Sequence, residues 1–317
     1  MDKRRLGRSD LEIAPLALGT NVLGWTMDEP TSFTVLDAFV DEGFTAIDTA
    51  DVYSRWVPGN DSESEKIIGR WLKARGNRDK VLVFTKVGSD MGQGHKDLSA
   101  KWIAEAVEQS LTRLQTDYID LYQSHWPDPA TPIDETLEAH DRLVKAGKVR
   151  FIGTSNQSHE QLRDALAISD ARGLARYQTV QNEFNLYSRA GFSGALQELC
   201  LKEGVSGLHY YGLSAGFLTG KYRTPEDAGK SARGPSVVQR FLNDKGLRIL
   251  AAMDAVAART GAGLPEIALA WVVAQPGVAA PIASATSLDQ LKMLASGVRL
   301  RLSAQDLAEL TAAGTDE

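Results

Sequence analysis

The sequence predicts an α/β protein folded as a (β/α)8 TIM barrel, with an N-terminal β-hairpin and an extra C-terminal helix. Hydrophobic runs of strand length alternate with helical patterns over almost all of the 317 residues, and eight such runs can be counted. Four runs also end in polar side chains able to do chemistry, where barrels carry their active sites. A doubly wound sheet is the alternative, but no G-x-G-x-x-G pattern follows an early strand.

The predicted strands are short apolar runs of the kind that a parallel sheet buries on both faces. In chain order they span about residues 16–18, 45–48, 81–85, 118–123, 149–152, 178–180, 205–210 and 280–283. An N-terminal hairpin is predicted over residues 4–6 and 11–13, across a turn at residues 7–10.

Helical periodicity fills the segments between the strands. Ser99 and Ser303 are predicted N-caps, and Gly43 ends the first helix. The predicted helices span about residues 31–42, 62–72, 99–114, 133–145, 158–171, 195–202, 247–259, 265–274, 287–295 and 303–310. The polar segment 221–246 is too long for an ordinary connection and is predicted to be a lid or functional loop. No linker divides the chain, so residues 1–317 are predicted to form one domain.

Composition excludes several classes of protein. With 35 basic and 41 acidic residues, the net charge of −6 gives no support for nucleic-acid binding. The single cysteine, Cys200, excludes an internal disulfide and a multi-cysteine metal site, and no metal site is expected. The charged N-terminus is not a secretory signal, and no apolar stretch approaches the ~20 residues of a membrane span. We therefore expect a cytoplasmic protein with no membrane partner.

Four residues at the predicted mouth of the barrel have complementary chemistry. Asp48, Lys86 and His125 end the second, third and fourth strands, and Tyr53 follows in the loop after Asp48. The ordinary pKa of tyrosine is ~10, and a neighbouring ammonium such as Lys86 stabilises the phenolate and lowers that value. Asp48 is expected to hold Lys86, and His125 to orient a substrate oxygen. Tyr53 is then predicted to act as general acid toward a carbonyl, and as base in the reverse reaction.

Carbonyl reduction also needs hydride, which no side chain supplies. The later strands offer places to hold a cofactor. Ser155, Asn156 and Gln181 can bind a carboxamide through donors and acceptors, and Tyr210 can stack on an aromatic ring. In the glycine-containing segment 212–221, backbone amides can approach phosphate oxygens, with Lys221 as counter-charge. A nucleotide is expected near the helix that follows the eighth strand, at Ser284, Thr286 and Gln290.

Aromatic residues lie in the loops of the same mouth. Trp25, Trp56 and Trp126 are predicted to wall the substrate pocket. The alternative is that one or two of them simply pack the loops.

Seven stretches together resemble the aldo-keto reductase superfamily over essentially the whole chain. They are residues 47–53 (IDTADVY), 84–88 (FTKVG), 125–128 (HWPD), 152–156 (IGTSN), 181–186 (QNEFNL), 216–222 (GFLTGKY) and 285–291 (ATSLDQL). The resemblance implies a carbonyl reductase or alcohol dehydrogenase that uses NADP(H) or NAD(H) and no metal, with a small-molecule carbonyl or alcohol as substrate. It also implies a catalytic tetrad of Asp48, Tyr53, Lys86 and His125.

The resemblance assigns the cofactor residues in more detail. It places Ser155, Asn156 and Gln181 on the nicotinamide amide and Tyr210 on its ring. It implies that the pyrophosphate site is lined by Leu213, Gly216, Leu218 and Lys221, and that Thr286 and Gln290 approach the adenosine end.

The chain departs from relatives at that adenosine end. Thr286 stands where many relatives carry arginine, and Met293 and Leu294 stand where they often carry an acidic residue and then asparagine. Without an arginine, bidentate recognition of the 2′-phosphate is lost, although Thr286 and Lys292 can partly replace it. NADP(H) is therefore favoured only narrowly over NAD(H).

Two other functions stay open. Members of the same fold serve as cofactor-binding partners of membrane channels, but the intact tetrad argues against such a nucleotide-sensing role. A barrel lyase or isomerase would use Lys86 as a Schiff base, which borohydride trapping would reveal.

Overall fold

The structure is a computed structural model that describes residues 2–231 and 233–315. A two-residue pair, β1 (Arg4–Arg5) and β2 (Glu12–Ile13), forms the antiparallel hairpin. Eight parallel strands then form a closed barrel, which confirms the predicted fold. They are β3 (Ala17–Gly19), β4 (Ala46–Asp48), β5 (Leu82–Val87), β6 (Ile119–Ser124), β7 (Val149–Ser155), β8 (Tyr177–Gln181), β9 (Ser206–His209) and β10 (Val278–Ala283).

Helices cover the outside of the barrel. They are α1 (Glu29–Asp41), α2 (Glu63–Arg75), α3 (Ala100–Leu114), α4 (Ile133–Lys145), α5 (His159–Arg172), α6 (Ala195–Glu203), α7 (Gly234–Phe241), α8 (Asp244–Thr260), α9 (Leu264–Ala274), α10 (Leu288–Arg299) and α11 (Ala304–Ala313). The predicted caps are present, since the Ser99 and Ser303 side chains accept hydrogen bonds from backbone amides of the first turns of α3 and α11. No single helix of the described chain is long and apolar enough to cross a membrane. Among the described helices, only α8 and α9 taken together, across a bend of 97°, have the length and apolar composition of a membrane span.

The two ends of the barrel differ. At the amino-terminal end, Leu6, Leu11 and Ile13 of the hairpin are buried in one cluster with interior residues such as Phe84 and Leu121. The barrel is completed by pairing between β10 and β3. The hairpin therefore closes one end, and the strand ends that carry polar side chains meet at the other.

The segment after β9 is more ordered than its polar composition indicates. Instead of one long loop, residues 221–246 contain a 3-10 helix, Pro225–Lys230, and the helix α7. Val237 and Phe241 lie four residues apart on one face of α7 and are buried, and the Phe241 ring stacks on Phe217 with 5.6 Å between centroids. This apolar face holds the segment against the body of the protein, which polarity alone did not predict.

Candidate active site

A buried ion pair lies at the carboxyl ends of β4 and β5. Asp48 is opposite Phe84 in the ladder, and Lys86 comes two residues later, so its side chain points to the same interior face as Phe84. Lys86 Nζ lies 2.6 Å from Asp48 Oδ1 and donates to the Thr49 carbonyl at 2.8 Å. It lies 3.1 Å from the hydroxyl of Tyr53. The ammonium therefore joins the carboxylate to the phenol.

The remaining oxygen of Asp48 is also satisfied. Gln181 Nε2 donates to Asp48 Oδ2 at 3.0 Å, and Gln123 Nε2 donates to it at 3.3 Å. Asp48 and Lys86 are 1% and 0% exposed, so these bonds offset the cost of removing two charges from water. Gln123 is absent from the sequence-based prediction, and its signal was its place near the end of the fourth barrel strand, β6.

The pKa of Tyr53 shifts in the direction opposite to the one expected from the sequence. The sequence predicts that Lys86 lowers the pKa of Tyr53, but the net shift is upward. Burial raises the pKa of Tyr53 most strongly, the Lys86 charge lowers it, and the Asp48 charge raises it again. Burial opposes a charged Lys86, yet its contacts with Asp48 and Tyr53 raise its pKa above the ordinary value. Near neutral pH the site therefore combines a neutral phenol with a charged ammonium.

His125 follows β6 and faces the same phenol. Its ring centroid lies 5.9 Å from that of Tyr53, and the ring stacks on Trp126 at 5.6 Å. Burial, together with the charges of Lys86 and Lys96, holds the pKa of His125 well below its ordinary value. The imidazole is therefore neutral at physiological pH, with Nδ1 2.9 Å from the Ser89 hydroxyl.

A cavity of about 440 Å³ opens above these residues. Ten of the sequence-predicted residues line it: Tyr53, His125, Trp126, Ser155, Asn156, Gln181, Tyr210, Leu213, Gly216 and Ser284. Asp48 and Lys86 lie behind Tyr53. The sequence-based prediction missed Asn21, Tyr211 and Arg233, which also line the cavity. Asn21 follows the first barrel strand, which was its only signal, and Arg233 is brought to the cavity by the fold of the segment before α7.

The polar residues on one wall form a continuous chain of hydrogen bonds. The Ser155 hydroxyl donates to the Gln181 carbonyl at 2.7 Å. Asn156 Nδ2 donates to the His125 carbonyl and to Ser155 Oγ, both at 3.0 Å, and Tyr210 donates to Asn156 Oδ1 at 2.7 Å. These amide and hydroxyl groups are therefore held in place on the cavity wall, as a carboxamide site requires.

The backbone after β9 suits an anionic group. Ser214, Ala215 and Gly216 have consecutive positive φ values of 48°, 54° and 95°, and Leu213, Ala215 and Gly216 line the cavity. Successive residues of this kind curve the chain into a concave loop that can present N–H groups to phosphate oxygens. The hydroxyl of Ser214 is buried there with no hydrogen-bond partner among the described residues. The loop and wall therefore fit a nicotinamide dinucleotide.

Other predicted residues lie outside the cavity lining. Leu218 is fully buried in the core, so only its backbone can approach a ligand. Lys221 is exposed with Nζ 5.0 Å from the Tyr222 ring centroid. Thr286 donates to Gln290 Oε1 through its backbone and hydroxyl, at 2.8 and 3.1 Å, so the two residues pair with each other.

Trp25 and Trp56 do not line the cavity, although each contacts a residue that does, Arg233 and Tyr53 respectively. Trp25 and Trp56 are 40% and 48% exposed and contact each other edge to face, with 5.5 Å between centroids. The Arg233 guanidinium lies 4.9 Å from the Trp25 ring centroid. Across the described residues, no group of three His, Cys, Asp or Glu side chains is arranged to bind a metal ion.

The closed (β/α)8 barrel has a cavity at the carboxyl ends of its strands that is lined by both polar and apolar side chains. This arrangement places the protein in the class of TIM barrels, whose enzymes carry their active sites at that end. The chain belongs to the aldo/keto reductase family, whose model matches residues 15–315. Proteins of this family carry out nicotinamide-dependent oxidation and reduction of small-molecule carbonyls, mostly with NADPH.

Three proteins with similar sequences are named here with their identity to this chain and the share of each chain that is covered. Protein tas of Escherichia coli is 35% identical, with 98% of this chain and 97% of that protein covered. Aldo-keto reductase YhdN of Bacillus subtilis is 34% identical, with 98% and 92% covered. A probable voltage-gated potassium channel subunit beta of rice, Oryza sativa subsp. japonica, is 31% identical, with 92% and 89% covered.

Proposed function

We propose that this protein reversibly reduces the carbonyl group of an aldehyde, ketone or sugar, with Tyr53 as general acid and base. The observation that carries the proposal is the 3.1 Å contact between Lys86 Nζ and the Tyr53 hydroxyl at the wall of a cavity that His125 also lines. A proton donor and an orienting imidazole thus face one space large enough for a reacting carbonyl.

Each residue of the set has its own part. A nicotinamide cofactor, when bound, would supply or accept the hydride at the substrate carbon. Tyr53 gives its proton to the substrate oxygen as negative charge develops there, and Lys86 stabilises the phenolate that remains. Asp48 holds Lys86 in place through the 2.6 Å contact. His125, neutral at physiological pH, hydrogen-bonds the substrate oxygen and directs it toward Tyr53.

The proposal extends to cofactor binding. Ser155, Asn156 and Gln181 hold the nicotinamide amide, and Tyr210 lies against the ring. The concave loop, with Leu213, Gly216, Leu218 and Lys221, takes the pyrophosphate, while Ser284, Thr286 and Gln290 stand toward the adenosine. Because Thr286 pairs with Gln290 and no arginine occupies its position, NADP(H) is favoured only narrowly over NAD(H).

The substrate is proposed to enter between aromatic walls. Trp126 lines the cavity, and the exposed pair Trp25 and Trp56 contacts its lining residues Arg233 and Tyr53. All of these parts belong to the single domain proposed for residues 1–317.

Side-by-side titration with NADPH and NADH, followed by a panel of aldehydes, ketones and sugars with the preferred cofactor, tests the proposal. We expect micromolar cofactor binding and turnover of at least one carbonyl class. Covalent trapping of a substrate on Lys86 by borohydride would instead support Schiff-base chemistry.

A second candidate function follows from the similarity to the rice potassium channel subunit. In that case the barrel would bind the cofactor and report its redox state to a partner protein. Tight cofactor binding with no turnover of any carbonyl in the panel would favour this candidate over the enzyme.

A further inference from the structure

We propose that Ser89 is a positioning residue that fixes the tautomer and ring orientation of His125, so that the imidazole presents an N–H to the substrate oxygen. The inference rests on the proposed function of His125. It concerns a residue outside the four-residue catalytic set, on the loop that follows β5.

The contact between the two side chains is buried. Ser89 Oγ lies 2.9 Å from His125 Nδ1, and the two residues are 5% and 8% exposed. Gly88 just before it has φ +102°, and a Cβ there would approach Leu98 Cδ2 to 2.5 Å. A glycine is therefore required at the turn that brings the Ser89 hydroxyl to His125 Nδ1.

The direction of the hydrogen bond follows from counting donors and acceptors. Among the described residues, Nδ1 of His125 is the only hydrogen-bond partner of the Ser89 hydroxyl. If Nδ1 carried the proton, the Ser89 hydroxyl would accept and its own buried hydrogen would lack an acceptor, which costs about 1–3 kcal/mol. If Ser89 donates, both its hydroxyl and His125 Nδ1 are satisfied, and the ring proton resides on Nε2.

The position of the ring proton decides whether His125 presents a hydrogen-bond donor or an acceptor to the cavity. His125 lines the cavity, and Nε2 has no hydrogen-bond partner within the described part of the chain. With the proton on Nε2, this edge of the ring donates to a carbonyl or alkoxide oxygen. With the proton on Nδ1, the same edge would present a lone pair to that oxygen and repel it.

The loop that carries Ser89 is itself anchored. Asp90 Oδ1 accepts from the backbone N–H groups of Gly92 and Gly94, at 2.8 and 2.9 Å, and Gln93 Nε2 donates to the Ser89 carbonyl at 3.3 Å. Lys96 from the same loop lies 4.7 Å from the centroid of Trp126, the ring that stacks on His125. One loop therefore holds the imidazole by a hydrogen bond and through its stacking partner.

The tautomer of His125 can be read directly by long-range ¹H–¹⁵N correlation spectra of ¹⁵N-histidine-labelled protein, with the signal assigned through His125→Gln. We expect the Nε2–H form in the wild type. In Ser89→Ala we expect a shift toward the Nδ1–H form, and in Ser89→Thr, which keeps the hydroxyl, recovery of the Nε2–H form. An Nδ1–H form in the wild type would overturn the proposal even if no variant folded.

Kinetics supply the second readout. Because the N–H serves the transition state, we expect kcat in Ser89→Ala to fall about tenfold or more, with cofactor affinity unchanged. Ser169→Ala is the matched control, since it removes a buried hydroxyl on α5 that donates to the Ala175 carbonyl beyond the end of the helix, and it is expected to change neither readout. An unchanged His125 tautomer in folded Ser89→Ala would refute the positioning role.

These experiments distinguish a failure of the proposed carbonyl reduction from a failure of the positioning role of Ser89. If the protein reduces no carbonyl, the proposed function fails, while the spectra still decide whether Ser89 sets the tautomer. If Ser89→Ala changes the tautomer but leaves kcat as in the Ser169→Ala control, the hydrogen bond exists and its catalytic importance is refuted.

Discussion

Lys86 Nζ lies 3.1 Å from the hydroxyl oxygen of Tyr53 while the same ammonium is bonded to Asp48 at 2.6 Å. The ammonium is therefore held at a fixed distance from the phenol in a fully buried position. Burial raises the pKa of Tyr53 and the ammonium opposes that rise, so the phenol stays protonated yet has a cation ready to stabilise its conjugate base.

The first prediction concerns the phenol. Tyr53→Phe removes the proton donor while keeping the ring, so turnover is expected to fall by about 10²–10⁴-fold, with cofactor binding nearly unchanged. Steady-state kinetics and cofactor titration measure the two quantities. Tyr118→Phe is the control, because Tyr118 directly precedes β6 at the opposite end of the barrel. Near-normal turnover in Tyr53→Phe would show that another group supplies the proton.

The second prediction concerns the buried ion pair. Asp48→Asn leaves the fully buried Lys86 without a counter-charge, so the free energy of unfolding is expected to fall by about 3–5 kcal/mol. Asp254→Asn breaks an exposed pair with Arg223 and should cost about 1 kcal/mol or less. Urea unfolding monitored by circular dichroism compares the two. Equal losses in the two variants would mean that the Asp48–Lys86 pair is not specially stabilising.

The third prediction concerns Asp51, a buried carboxyl with no hydrogen-bond partner for either oxygen among the described residues. Burial, with the nearby Glu65 charge, raises the pKa of Asp51 from 3.8 to about 8. Between those pH values the native state keeps a proton that the unfolded state releases. The Asp51 contribution to stability therefore declines by about 1.4 kcal/mol per pH unit and levels off above pH 8.

Asp51→Asn removes this titration while keeping the size of the side chain. The stability of the variant relative to the wild type should therefore rise steadily from pH 5 to pH 8. Urea unfolding at each pH tests this, and a difference that is constant with pH would show that Asp51 is ionised in the native protein throughout.

The fourth prediction concerns the single thiol. Cys200 is fully buried, and burial raises the pKa of its thiol to about 12. We expect no alkylation by iodoacetamide at pH 7.5 in the native state and complete alkylation in urea, because the thiolate is the reacting form. Mass spectrometry reads the result without ambiguity, since the sequence has one cysteine. Rapid labelling of the native protein would point to local opening around α6.

Two barrel strands are longer than the sequence predicts. The sequence predicts strands over residues 81–85 and 149–152, but β5 and β7 continue to Val87 and Ser155. Their last residues include Lys86, Thr154 and Ser155, whose polarity is typical of loops. They stay in the ladder because their backbones pair with the neighbouring strands and their side chains are buried.

The assignments of the individual site residues, and of residues 1–317 as one domain, stay predictions that the experiments above can check. Two features of the site depend on the tertiary structure and leave no signal in the sequence. The upward shift in the Tyr53 pKa depends on how deeply the phenol is buried, and Gln123 contributes through a 3.3 Å bond to Asp48 across the barrel.

The sequence by itself determined the alternation of strands and helices, the caps, and the polar residues that end successive strands, because periodicity and capping are local properties. Only the tertiary structure decided what depends on distant segments meeting. Closure of the barrel brings Gln181 to within 3.0 Å of Asp48, 133 positions away. The fold of the segment after β9 brings Arg233 to the cavity. Such contacts follow from packing and burial, which no local pattern encodes.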